Sequence, residues 1–301
     1  MKEDQISLTA IMCAYLRAFH AMNDHPKIFD DFLAYRIIPE ERRALIEQGF
    51  ANAAPPEDSG NTRDRATAIR GVMQFMGLPN ILSRSRYTED ALEKAIMLGV
   101  KQYVILGAGM DTFAFRHPEM LDELRVFEID HPAMQAFKRE RLAELGWEKP
   151  EHLNFVPVDF TKDSLSTALE QSSYDPQSKS FFCWLGVTMY LTRDEVFATL
   201  RSIADIACAG SSVVFDYFHN DAFIPSKGDS KELELREKLH QMGEPQKTGF
   251  DPAALASDIM PLGLRLHENL GPSDIQERYF QGQTDGYCAA ANVHLAWAVI
   301  E

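Results

Sequence analysis

A chain of 301 residues, 45% hydrophobic and 25% charged, can bury a large core without disulfides or metal and suits one α/β domain with insertions. Its 45 acidic and 30 basic side chains leave a formal net charge of −15; no run of Lys and Arg offers a phosphate-binding surface, which argues against nucleic acid and anionic membranes as partners. Cys13, Cys183, Cys208 and Cys288 lack CxxC spacing and read as reduced thiols of a cytoplasmic protein, and the nine histidines form neither HExxH nor a His/Cys cluster, so no metal is expected.

Residues 8–22 are fairly apolar, but Glu3 and Asp4 precede them and Arg17 and His20 interrupt them. The run reads as an amphipathic helix, not as a signal peptide or a membrane span. Helices are predicted at 9–22, 26–35, 39–50 and 62–76, with a break at 52–60, rich in Pro, Asn, Ser and Gly. These form an expected helical cover over residues 1–82. From Ser83 onward, a helix at 88–98 leads into an apolar strand at 102–107. Strands at 125–130, 154–160, 181–186 and 211–218 then alternate with helices at 132–145, 164–172 and 193–207. Such βαβα order predicts a parallel sheet clothed by helices. The polar stretch 219–249, with a helix at 231–242, reads as a lid-like insertion. A helix at 252–260 and strands at 264–270 and 293–300 complete a doubly wound, seven-stranded α/β core over 83–301.

The chemistry gathers at the strand ends. The first strand stops at Gly107-Ala108-Gly109, where glycines let the backbone approach a ligand. By itself such a turn is equally a tight strand-to-helix connection. The second strand ends in Glu128 and Asp130, about 20 residues later, where ribose hydroxyls need an acceptor. Alternation puts both acids on one face, and Asp130 could also cap the helix that opens at His131-Pro132. The third strand ends in Asp159-Phe160, an acid for an adenine amino group beside an apolar ring; a helix cap is the alternative. After the fourth strand, Thr192 and Glu195 form a capping box, so Gly186–Tyr190 make the loop at the topological switch point. A nicotinamide-dependent oxidoreductase is disfavoured. Its pyrophosphate fingerprint needs a third glycine where this chain has Thr112, Asp111 would face the phosphates, and no Tyr-x-x-x-Lys pair occurs.

Together these segments resemble the leucine carboxyl methyltransferase-like family. The resemblance rests on Leu106-Gly107-Ala108-Gly109-Met110-Asp111-Thr112, Phe127-Glu128-Ile129-Asp130-His131-Pro132, Phe137-Lys138-Arg139-Glu140-Arg141-Leu142 and Met189-Tyr190-Leu191. It extends weakly to Ala14–Ala18 and Arg84-Ser85-Arg86-Tyr87. It implies a class I methyltransferase fold that binds S-adenosyl-L-methionine. It also implies roles: Arg84, with Arg86 as near competitor, on the cofactor carboxylate; Gly107, Ala108 and Gly109 against its methionine part; Asp130 on the ribose; Asp159 and Phe160 on the adenine. Many relatives carry a glutamate where this chain has Leu185, so a cofactor contact or catalytic carboxylate is replaced there. Loss of that acid would ease binding of an anionic acceptor. The expected reaction is O-methylation of a small-molecule carboxylate or acidic hydroxyl, with Tyr15, Arg17, Trp184 and Tyr190 around the acceptor. Tyr190 and His219 are the candidate catalytic groups should a base be needed. The remaining alternative is a cofactor-binding protein without catalysis.

Overall fold

The apolar runs become the middle of a single seven-stranded sheet. The computed structural model describes residues 6–53, 65–160, 162–224, 236, 237, 240, 245–283 and 286–301. The strands are β1 (Gln102–Leu106), β2 (Arg125–Asp130), β3 (Leu153–Pro157), β4 (Ser180–Trp184), β5 (Ser212–Phe218), β6 (Leu264–Leu270) and β7 (Val293–Ile300). Their order is β3-β2-β1-β4-β5-β7-β6. The first five are parallel, and β7 runs antiparallel to β5 and β6. Every residue of β1 and β4 is buried, as parallel strands clothed on both faces require. Alternation divides their side chains: Tyr103, Ile105, Phe181 and Cys183 join one apolar layer, whereas Val104, Leu106, Phe182 and Trp184 join the other. The strand order reverses between β1 and β4, which opens a crevice above their carboxyl ends.

The first layer is completed by α1 (Leu8–Asn23), α5 (Leu78–Met97), α6 (Phe113–Arg116) and α7 (Pro132–Glu144), with α2 (Ala34–Ile37), α3 (Glu40–Ala53) and α4 (Arg65–Phe75) around them. In α1 the stripe Ile11, Ala14, Tyr15, Leu16 and Ala18 is buried, and Ser7 caps the start by accepting the Ala10 N–H at 3.1 Å. The second layer holds α8 (Leu165–Glu170) and α9 (Arg193–Ile206). The capping box that opens α9 is present: Thr192 and Glu195 bond each other's backbone N–H groups.

Three expectations shift. The helix predicted at 26–35 is reduced to Ala34–Ile37, because side chains claim the backbone before it. His20 Nε2 accepts the Ile28 N–H at 2.8 Å, and Asp31 Oδ1 accepts that of Ala34 at 3.1 Å. The helix at 88–98 is the second half of α5, which starts after Gly77 (φ +90°) with Pro79 in its first turn. That single helix runs through the expected boundary at 82/83. Strand β3 stops at Pro157, short of residue 160. The break at 52–60 lies almost wholly, and the helix at 231–242 mostly, outside the described residues. Among the described residues no helix is long and apolar enough to cross a membrane, and no group of His, Cys, Asp and Glu could hold a metal ion.

Candidate active site

The glycine turn after β1 is gripped from three directions. Gly107 and Ala108 donate their N–H groups to the Ile129 carbonyl on β2, at 2.8 and 3.1 Å. Both glycines have positive φ, +72° and +52°, the left-handed region that side chains avoid. A Cβ at Gly107 would lie 2.9 Å from Val187 Cγ2 in the loop after β4, and one at Gly109 3.0 Å from Ala10 Cβ on α1. The turn is thus a backbone cradle whose space a side chain would fill.

Asp130 closes the cradle from β2. Its Oδ2 accepts the Gly109 N–H at 2.5 Å and its Oδ1 that of His131 at 2.6 Å. The side-chain cap of α7 is instead His131, whose Nδ1 accepts the Ala133 N–H at 3.3 Å. Burial raises the Asp130 pKa against these backbone donors. The acid two residues earlier has another fate. Glu128 is sealed on Lys138, Nζ to Oε2 2.5 Å, with both side chains 1% exposed. Burial pushes its carboxyl up to about 7 despite the ammonium. Only Asp130 of the two reaches the crevice.

Asp159 lies past the end of β3, with Lys162 Nζ at 3.3 Å and His131 Nε2 at 3.9 Å from its Oδ2. Ser164, not Asp159, caps α8. Phe160 is 40% exposed beside it, an apolar face at the far end of the crevice from α5.

Arg84 comes from the middle of α5. Its Nη1 donates to Asp216 Oδ2 at 2.9 Å, and its Nη2 lies 3.7 Å from Cys13 Sγ. Burial disfavours its charge, but Asp216, together with Cys13 and Tyr190, outweighs burial and raises the pKa. Arg86 instead lies on a half-exposed side of the helix, paired with Asp90. Asp216, on β5, escaped the sequence reading. Its only signal there is a carboxylate within the apolar run Val213–Phe218, a charge that burial tolerates only with a partner.

Several expected acceptor contacts are placed elsewhere. Trp184 points into the opposite layer, 1% exposed, and has no surface to offer a ligand. Tyr15 is buried under α3, its ring stacked on Phe50 at 5.9 Å. Arg17 is committed to Asp31, Nε to Oδ2 2.8 Å, and to the Met110 carbonyl at 3.0 Å; its charge is neutralised inside the cover. His219 is half-buried just past β5, and its Nδ1 accepts the Asp221 N–H at 3.0 Å. A neutral ring so held carries its proton on Nε2, so its basic lone pair is already occupied. Tyr190 sits half-buried in the loop after β4, its N–H bonded to the Val187 carbonyl at 3.0 Å. Leu185 packs, half-buried, against the first layer.

Comparison with known proteins places the chain in a family. The family model described as Leucine carboxyl methyltransferase matches residues 10–204, about two thirds of the chain. The chain belongs to the leucine carboxyl methyltransferase family. YktD of Bacillus subtilis (strain 168), provisionally named an S-adenosyl-L-methionine-dependent methyltransferase, is 37% identical over 313 residues, spanning 99% of both chains. A relative from Mycolicibacterium gilvum (strain PYR-GCK) with the same provisional name is 30% identical, over 82% of this chain and 76% of its own. Among solved structures, a DUF574 family protein from Streptomyces avermitilis MA-4680 superposes with a TM-score of 0.56 at 13% identity, covering 84% of this chain and 96% of that one. A protein from Thermobifida fusca YX, provisionally named a methyltransferase, gives 0.52 at 13% identity over 100% and 97%. These two share the fold. This family member is a methyltransferase dependent on S-adenosyl-L-methionine, and the cradle suits that cofactor: one turn with two glycines, buried carboxylates at hand, and no phosphate for Asp111 to repel.

Proposed function

We propose that this methyltransferase acts on an oxygen of a small-molecule carboxylate or acidic hydroxyl. In this reading the Gly107–Gly109 backbone lies along the amino-acid part of the cofactor and Arg84 meets its carboxylate as a guanidinium fork. Asp130 accepts from the ribose, and Asp159 and Phe160 hold the adenine. The helices of residues 1–82 close above the strand ends and exclude water. When bound, S-adenosyl-L-methionine supplies an activated sulfonium methyl group. What the chain must add is alignment and a dry site.

The observation that carries the oxygen-acid reading is the pose of His219. Its Nδ1 already accepts a backbone N–H, which leaves no ready base in the ring. A carboxylic acid, with a pKa of about 4, is ionised at neutral pH and needs none, whereas a phenol, at about 10, does. Leu185 supports the same reading, since an apolar side chain stands where a carboxylate would repel an anion.

The test is turnover on a panel of small carboxylic acids and phenols, followed as S-adenosylhomocysteine release across pH. A carboxylate acceptor gives a rate that stays level between roughly pH 6 and 9. A rate that climbs tenfold per unit towards a phenol's pKa, and that falls on replacing His219 with Asn, would overturn the reading.

A further inference from the structure

Asp216 is buried completely, so it has no surface with which to meet a ligand. It nevertheless bonds groups from two elements at one end of the crevice. Its Oδ2 accepts from Arg84 Nη1 at 2.9 Å, and its Oδ1 accepts the Gly186 N–H at 2.6 Å. Its carbonyl accepts the Thr188 hydroxyl at 2.5 Å. One residue of β5 therefore fastens an α5 side chain and the loop after β4.

The guanidinium is confined on its other sides as well. A Cβ at Gly186 would lie 2.7 Å from Arg84 Nη2 and 2.9 Å from Nη1, and Gly186 has φ +71°. The arginine plane thus lies against bare backbone that only glycine provides. Cys13 of α1 stands by Nη2. With side-chain exposures of 12% for Arg84 and 1% for Asp216, the arginine retains some exposed surface while its partner has almost none. A long side chain loses rotamer freedom when it grips a carboxylate, and pre-organisation removes that cost.

We propose that Asp216 is a positioning residue, which holds the Arg84 guanidinium ready for the cofactor carboxylate and sets the loop after β4 from the same carboxyl group. The proposal rests on the reading that Arg84 meets that carboxylate. The Asp216 carboxyl acts through Arg84 and Gly186.

The test compares two ligands by calorimetry: S-adenosylhomocysteine, which has the amino-acid end, and 5′-methylthioadenosine, which lacks it. Asp216→Asn keeps an acceptor for the Gly186 N–H and removes the charge. It should weaken S-adenosylhomocysteine about tenfold or more and leave 5′-methylthioadenosine within about threefold. Arg84→Ala should show the same selectivity, and adding Asp216→Asn to it should cost nothing further. Should the Asn variant not fold, Asp216→Glu retains the charge but displaces the fork, and the same selective loss is expected. Equal losses for both ligands, or unchanged affinities beside a lowered melting temperature, would overturn the positioning role. If Arg84→Ala shows no selectivity, the assignment of Arg84 fails first and the proposal falls with it.

Discussion

In the proposed reading Asp130 has two duties in one carboxylate, fastening the turn and holding the ribose, and substitution tells them apart. Its oxygens already hold the Gly109 and His131 N–H groups, yet each oxygen has a second lone pair for a ribose hydroxyl. Asp130→Ala should therefore weaken S-adenosylhomocysteine by about 1–3 kcal/mol, the cost of leaving buried partners unpaired. A variant that binds the cofactor as wild type does, with only a lower melting temperature, would reduce Asp130 to a turn fastener. This residue was legible because three signals coincide: a glycine turn, a strand end and a spacing. Asp216 was not. Its partner Arg84 is 132 residues away in sequence, and a single acid in an apolar strand does not say which face or which helix it will meet. Arg17 and Trp184 meet partners that the sequence does not show, for a related reason. Their types suit a ligand pocket, but the partners that occupy them, Asp31 and the α8–α9 layer, appear only on folding.

At the scale of elements, α1 is the part of the cover that touches the cradle. Ala10 stands against Gly109, and Arg17 reaches from Asp31 to the Met110 carbonyl, one residue past the turn. Asp31 also accepts from the Thr112 hydroxyl at 2.6 Å, and Arg17 with Arg116 holds its carboxyl below the usual range despite burial. Arg17→Ala should lower stability by about 1–3 kcal/mol, and cofactor affinity should fall with it because the turn loses a support. An acceptor-binding arginine behaves differently: KM for the acceptor would rise while melting temperature and cofactor affinity stay put. Thermal melts, cofactor titration and acceptor KM on one variant decide between them. The strands were legible because two-sided burial writes continuous apolar runs. The cover was less so. Ile28 gives its backbone N–H to the His20 side chain instead of a helix, and Asp31 accepts that of Ala34, where α2 begins; the polar stretch around Arg84 hides the middle of α5.

At the scale of the molecule, the sheet closes with β7 between β5 and β6. A signal for that order existed: apart from His294, β7 is apolar on both faces, whereas β6 carries Arg265, His267 and Glu268 as an edge strand does. The placement puts His294 of β7 against the Tyr217 ring, stacked at 5.1 Å, with the His219 ring at 6.0 Å. Burial and then His219 lower the His294 pKa from 6.5 to about 4. In that window the unfolded chain holds a proton that the folded ring refuses, so stability rises with pH; the contribution is complete above 6.5 and is lost as pH falls through about 4. Glu128 has the opposite sign. Raised from 4.5 to about 7, it keeps its proton in the fold and makes stability fall as pH rises through that range. The two groups oppose each other over most of one window, and in wild type their two slopes largely cancel there. His294→Phe keeps an aromatic ring on Tyr217 and removes one slope, at most about 1.4 kcal/mol per pH unit. Relative to its own stability at pH 7, the variant should gain about 1 kcal/mol or more on wild type by pH 5. Urea melts at half-unit steps measure this. A variant whose profile runs parallel to wild type from pH 7 to 4 would mean that His294 titrates alike in the folded and unfolded chain, and that the Tyr217–His294–His219 stack does not exclude the proton.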